Sequence, residues 1–242
     1  MKFHSHYPSA IRNNTLHIWK IPLDNCTDIS GCYEILNNEE KNKAESLETF
    51  NKHIKYIICR SSIKKILGYY LNIDPRNIIF EYNNYGKPAL CNTCVNINFN
   101  VSHSSDLALC AITPIDINIG IDLECINYLE NPDELAKVFL THEEYLQFLN
   151  IVPEDKPRIF YKLWTCKESA LKAIGMGLHF PIKNVELCLS SDGSIINNNI
   201  IIDSKIWHLY QCKTVYNDKH YQASGTTSEH IKQVSCYTFT KV

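Results

Sequence analysis

Glycine is scarce in this chain, with eight in 242 residues, and no Gly/Ser tract or other low-complexity segment occurs. Flexible tethers between independent modules are thereby excluded, so a boundary between domains has to lie in a turn, with the parts packed closely. No uninterrupted apolar stretch could cross a bilayer as a helix, and residues 1–14 carry His and polar side chains where a secretory signal has its apolar segment. Neither sign of charge dominates: 24 Lys+Arg against 26 Asp+Glu leave a net charge of −2. That lacks the basic excess of a general nucleic-acid binder and the acidity of a disordered tail. The expectation is a cytoplasmic protein with no membrane and no nucleic-acid partner.

Cysteine is plentiful, yet its eleven copies are an odd number scattered from Cys26 to Cys236 in a chain whose 45% hydrophobic content supplies a core without a disulfide framework. Reduced thiols are expected. The one close pair, Cys91 and Cys94, has no second pair and no His at zinc-finger spacing, and the His4-x-His6 pair near the start carries no further signal.

Apolar positions Leu47, Phe50, Ile54, Ile57, Ile58, Ile63, Ile66, Leu67 and Tyr70 recur at three- and four-residue steps and predict a helix over residues 45–71. Its other face, with Lys43, Lys52, Lys55, Arg60, Lys64 and Lys65, reads alone as a solvated surface. A short strand at 78–80 and a turn at 83–88 follow, then strands at 96–101 and 107–112 joined by the polar connection Ser102-His103-Ser104-Ser105-Asp106. Ile117 to Glu124 alternates as a further strand. Asn131-Pro132 and the Thr141–Glu144 capping box open two helices, and Pro157 opens a third with the buried stripe Ile159, Leu163, Cys166, Ala170 and Ile174 and a stop at Gly175. The remainder reads as strands near 207–213, 220–226 and 234–239. Both halves are helix plus a few strands, an α+β pattern with a boundary near residue 115, giving units of 1–115 and 116–242 that suit a degenerate duplication.

Asp122 and Glu124 stand two apart on a strand, so both carboxylates share one face, which costs repulsion unless a cation offsets it. A solvent-facing strand edge is the plain alternative. Glu168 and Lys172 are four apart on the third helix, on the row that holds Trp164, and read equally as a surface pair worth about 0.3 kcal/mol. Taken together, three hard-oxygen carboxylates suit Mg²⁺ with a phosphate ester or anhydride as its partner. The basic helix face, Lys172 and the serine-flanked His103 then suit a multiply phosphorylated ligand.

Five ordered blocks carry a resemblance: Tyr85-Gly86-Lys87-Pro88, Asn100-Val101-Ser102-His103-Ser104, Gly120-Ile121-Asp122-Leu123-Glu124, the run from Phe160 through Trp164, Lys167 and Glu168 to Lys172, and Gly175-Met176-Gly177-Leu178. In order and separation they resemble the signature of the Sfp-type 4′-phosphopantetheinyl transferases over about residues 40–185. The resemblance implies two similar α/β subdomains related by a pseudo-twofold axis, with coenzyme A as cosubstrate between them. It implies a holo-[acyl-carrier-protein] synthase that moves the 4′-phosphopantetheine group onto a serine of an acyl or peptidyl carrier protein of a fatty-acid, polyketide or nonribosomal-peptide synthase, releasing adenosine 3′,5′-bisphosphate. It also implies a monomer using Mg²⁺, or Mn²⁺ in its place.

Carried over by position, Asp122, Glu124 and Glu168 hold the metal, Glu168 takes the proton of the carrier serine and Lys172 stabilises the leaving phosphate. Ser102 and His103 contact phosphates of the nucleotide half, Lys87 lies near the same ligand, and Lys41, Lys43 and Lys55 surround the 3′-phosphate, Lys55 standing where an Arg is expected. Residues 143–157 are the expected carrier-facing segment. Two competing readings are another Mg²⁺-dependent phosphate-ester enzyme, which needs an attacking water and no protein acceptor, and a carrier-protein-binding relic without turnover, against which the three intact carboxylates speak.

Overall fold

The computed structural model describes residues 3–4, 8, 11–24, 26, 28–91 and 96–240; His6 and Cys94 of the two short sequence pairs lie outside them. In chain order the elements are β1 (Phe3–His4), β2 (Thr15–Pro22), α1 (Ile29–Glu34), α2 (Asn38–Glu45), α3 (Phe50–Leu71), β3 (Phe80–Tyr82), β4 (Pro88–Leu90), β5 (Ile97–Ser104), β6 (Leu107–Pro114), β7 (Ile119–Cys125), α4 (Pro132–Phe139), α5 (His142–Leu149), α6 (Lys156–Ile174), β8 (Asn199–Ile202), β9 (Lys205–Tyr216), β10 (Lys219–Thr227) and β11 (Gln233–Thr238). The fold is α+β. One five-stranded sheet runs β1, β11, β2, β6, β5, and a four-stranded sheet runs β7, β10, β9, β8.

Each of these sheets is covered by one long helix. Ile58, Ile63, Ile66 and Leu67 of α3 pack on Trp19, Ile21, Phe99 and Cys110 of the first sheet, while Leu163, Cys166 and Ala170 of α6 pack with Trp207 and Leu209 of the second. A third cluster joins the two, because Leu16, Leu107 and Leu109 meet Ile119, Ile121, Leu123 and Tyr221. The link near residue 115 runs between β6 and β7, yet the chain crosses back: β11 lies parallel to β2 within the first sheet. Among the described residues every cysteine is a free thiol.

Three sequence expectations are corrected here. The helix expected over 45–71 begins only at Phe50: Glu45 is the last residue of α2, which Ser46 closes, and the Thr49 hydroxyl caps α3 by accepting from Lys52 N; Ser and Thr favour caps over helix interiors. The face expected to be solvated is partly covered, because α2 brings Glu40 onto it: Glu40 binds Lys64 Nζ and Arg60 Nε, both at 2.9 Å, and the Lys64 side chain is 0% exposed. The strand expected at 78–80 is displaced to Phe80–Tyr82, with Ile78 buried behind a one-turn helix at Pro75–Asn77.

Candidate active site at the seam of the two sheets

Strand β5 is the edge of the first sheet and β7 the edge of the second, and α6 crosses β7. The polar connection expected at 102–106 is mostly strand, since Ser102, His103 and Ser104 pair with Leu109, Ala108 and Leu107 of β6 and only Ser105 and Asp106 make the turn. Ser105 takes the left-handed conformation there, with φ of 52°. As a result Asn100, Ser102 and Ser104 share one strand face.

That face meets β7 through side chains. Ile121 N donates to Asn100 Oδ1 at 2.8 Å, Leu123 N to Ser102 Oγ at 3.2 Å and Cys125 N to Ser104 Oγ at 3.0 Å. Three main-chain donors on the open edge of β7 are satisfied by this arrangement. The hydroxyls then pass their own protons on, Ser102 to Asp122 Oδ1 and Ser104 to Glu124 Oε2, both at 2.9 Å.

Gly120 lets α6 approach. A Cβ there would stand 2.0 Å from Ser169 O and 2.3 Å from Ala173 N, so only glycine admits the helix backbone against β7. On the β10 side the helix is bound by hydroxyl pairs, Thr165 with Ser224 at 2.9 Å and Ser169 with Thr226 at 2.8 Å. This docking sets Glu168 and Lys172 beside the acids of β7. Lys172 Nζ lies 2.6 Å from Asp122 Oδ1 and 3.0 Å from Ser102 Oγ, so its partner is Asp122 of another element, where a surface pair with Glu168 was the plain sequence reading.

Asp122 is 4% exposed. Its Oδ2 and Glu168 Oε1 are buried with no hydrogen-bond partner. Burial raises the Glu124 pKa, with the Asp122 charge adding to it and the Ser104 hydroxyl, Lys172 and the nearby Trp164 indole opposing it. Glu168 is raised first by burial and next by the charge of Asp122. His103 lies at the rim, where partial loss of hydration and then the Lys172 charge lower its pKa.

The structure thus brings together Asp122, Glu124, Glu168, Lys172, Ser102 and His103 of the expected site. Two buried carboxylate oxygens without partners, on hard-oxygen side chains, fit a cation such as Mg²⁺. Among the described residues, however, no three His, Cys, Asp or Glu side chains already converge as a ready metal cluster, and the Lys172 ammonium holds the Asp122 Oδ1 position.

Three of the remaining expected ligand residues are otherwise engaged, and Lys43 is free at the surface. Lys87 Nζ donates to Ile119 O and Ala173 O, each at 3.1 Å, and burial lowers its pKa to about 8. Lys55 pairs with Asp106 Oδ1 at 2.7 Å; Lys219 takes Asp106 Oδ2, and hydrogen bonds from these two lysines hold the Asp106 pKa down at about 2. Lys41 lies 4.9 Å from the centre of the Tyr33 ring, and Lys43 is exposed in the last turn of α2. Sequence reasoning passed over Ser104, Asn100 and the dependence on Gly120. Their signal was present, because Asn-x-Ser-x-Ser and Gly-x-Asp-x-Glu are two same-face triplets of equal period.

Comparison with known proteins follows the same division. Residues 118–224 match the family model of the 4′-phosphopantetheinyl transferase superfamily, and residues 24–115 match that of the 4′-phosphopantetheinyl transferase N-terminal region. The 4′-phosphopantetheinyl transferase HetI of Nostoc sp. is 33% identical over 184 residues, 75% of this chain and 77% of that protein. The 4′-phosphopantetheinyl transferase Sfp of Bacillus subtilis is 31% identical, over 55% of this chain and 57% of its own. The human L-aminoadipate-semialdehyde dehydrogenase-phosphopantetheinyl transferase is 32% identical over 54% of this chain and 45% of its own.

Proposed function

The chain belongs to the 4′-phosphopantetheinyl transferase superfamily, and on that premise we propose that it transfers the 4′-phosphopantetheine group of coenzyme A to a serine of a carrier protein. The observation that carries this reading is the seam itself: Asp122 and Glu168 hold buried oxygens without partners beside Glu124 and the Lys172 ammonium. A site so poor in internal counter-charge suits a divalent cation and a polyanionic substrate.

In this reading Asp122, Glu124 and Glu168 hold Mg²⁺, which when bound neutralises charge on the pyrophosphate. The serine hydroxyl attacks the phosphorus that carries the pantetheine arm, the bridging P–O bond breaks, and adenosine 3′,5′-bisphosphate leaves. Glu168, whose raised pKa brings it nearer to a proton acceptor's working range, takes the hydroxyl proton. Lys172, whose Nζ lies 2.6 Å from Asp122 Oδ1, would direct its charge to the leaving phosphate. His103 at the rim supplies a donor to the nucleotide phosphates. The basic residues Lys41, Lys43 and Lys55 are proposed for the 3′-phosphate, with Lys55 exchanging Asp106 for the ligand.

The finer assignment is a holo-[acyl-carrier-protein] synthase that works as a monomer in the cytoplasm, with the carrier received on residues 143–157. There Leu146, Leu149 and Val152 are exposed, and the partly exposed Arg158 follows just beyond the segment. The test is mass spectrometry of acyl and peptidyl carriers after incubation with the enzyme, coenzyme A and Mg²⁺. The expected result is a phosphopantetheine mass gain on one serine, with adenosine bisphosphate released only when a carrier is present. Coenzyme A cleaved at one rate with carrier, without it, and with a serine-to-alanine carrier would replace this reading by a phosphodiesterase.

A further inference from the structure

The side-chain seam between β5 and β7 has three rungs, and they differ in one respect. Asn100 Oδ1 only accepts, from Ile121 N. The Ser102 and Ser104 hydroxyls accept from β7 as well, but each has a proton to give, and each gives it to the acid next to the donor it serves. For Ser104 the direction is fixed by its neighbours. Cys125 N has a proton and no lone pair, so the hydroxyl oxygen accepts there, and the hydroxyl proton is left for Glu124 Oε2. The Trp164 indole, on α6, lies near the same carboxylate and favours its ionised form. The hydrogen bond that holds Glu124 thus comes across the seam from Ser104, in the first half of the chain, while Trp164 belongs to the second.

We propose that Ser104 is a positioning residue of the transferase site, fixing the Glu124 carboxylate so that the acid cluster of β7 and α6 keeps its cation-binding geometry. This rests on the reading of Glu124 as a metal ligand. The physical ground is that a carboxylate on a flexible two-carbon stem loses rotamer entropy when a cation orders it, and a hydroxyl locked by a main-chain N–H has met that loss in advance. It also explains why the strand carries Ser at both 102 and 104 with His103 turned the other way: the two serines serve Asp122 and Glu124, at matching two-residue spacing, while the intervening side chain faces the rim.

The experiment compares Ser104→Ala, Ser104→Thr and Asn100→Ala with the wild type, in Mn²⁺ affinity by electron paramagnetic resonance on the free enzyme and in melting temperature without metal. Asn100→Ala removes a rung that touches no acid, so it is expected to lower the melting temperature and leave the Mn²⁺ Kd within about two-fold. Ser104→Ala is expected to raise the Kd about ten-fold or more, the usual effect of removing an outer hydrogen bond to a metal ligand. Ser104→Thr, which keeps the hydroxyl, is expected to restore it. If Ser104→Ala fails to fold, Ser104→Cys, with similar volume and a weak donor, is read against Ser104→Thr in the same way. Equal losses of affinity in Ser104→Ala and Asn100→Ala would make the rung merely structural and overturn the proposal, as would no loss in either, and in both cases a wild type that still modifies a carrier leaves the transferase function standing. A wild type that neither binds Mn²⁺ nor modifies a carrier overturns both.

Discussion

Lys172 Nζ reaches from α6 to within 2.6 Å of Asp122 Oδ1 on β7, and both bind the Ser102 hydroxyl. Two like charges on one strand face suggest that removing Asp122 relieves repulsion, and this contact reverses the expectation. Asp122→Ala leaves an ammonium and a hydroxyl without their acceptor at a site where Asp122 is 4% exposed. The loss expected is about 1–3 kcal/mol, kept below the fully buried limit because the Lys172 side chain is 27% exposed. Urea denaturation of the metal-free protein measures it. The double change Asp122→Ala with Lys172→Ala should cost less than the two single changes added, and strict additivity would show that the contact contributes nothing.

Gly120 gives a second test of the same docking. Placing a methyl group 2.0 Å from Ser169 O requires α6 to lift from β7. Gly120→Ala should destabilise by about 3 kcal/mol, the upper range for overpacking against backbone. Because α6 carries Glu168 and Lys172, the folded fraction should also lose specific activity, beyond what the denaturation curve accounts for. Activity per folded molecule equal to that of the wild type would mean that the helix can shift without disturbing the site.

Much of this arrangement is written locally and is legible for that reason. The Thr141–Glu144 capping box, the stripe from Ile159 to Ala170 and the alternation through Asp122 and Glu124 each involve neighbours within a turn or a strand. What the sequence hid depends on contacts made at a distance. Ser102 and Ser104 sit in a run of small polar residues that reads as turn chemistry, and only pairing with β6 draws them into a strand. Lys64 looks like one more surface lysine until α2 folds Glu40 over it. The return of β11 to the first sheet has no local mark, because a short alternating strand serves either sheet equally well.

His17 predicts an acid-labile fold. Trp19 Nε1 donates to Tyr70 Oη at 3.0 Å, which leaves the Tyr70 proton for His17 Nδ1 at 2.7 Å, and the ring is buried in its neutral form. Desolvation lowers its pKa from 6.5 to about 4. Between those values the unfolded chain takes up a proton that the native protein refuses, so stability rises with pH across this window and is lost as pH falls through it. The melting temperature should drop on the order of 5 °C from this source between pH 6.5 and pH 4. His17→Phe should flatten that part of the profile, measured by calorimetry at constant ionic strength; an unchanged slope would place the acid sensitivity elsewhere.

Glu168 separates stability from chemistry. Burial and the charges of Asp122 and Glu124 raise its native pKa above the ordinary 4.5, against the pull of Lys172. A carboxylate whose folded pKa is raised binds its proton more tightly when native, so its contribution to stability is present below the unfolded pKa and is lost as pH rises through the folded one. In the metal-free protein at neutral pH the ionised Glu168 is therefore a cost, compounded by an Oε1 with no partner. Glu168→Gln abolishes the charge and should melt at or above the wild-type temperature at pH 7.5, with the difference vanishing toward pH 4. The same variant removes a metal ligand and the proposed proton acceptor, so its turnover at saturating Mg²⁺ should fall about 100-fold or more. A variant that melts lower at every pH would instead make Glu168 a structural member of the seam, and its loss of turnover would then follow from misfolding rather than from the chemistry assigned to it.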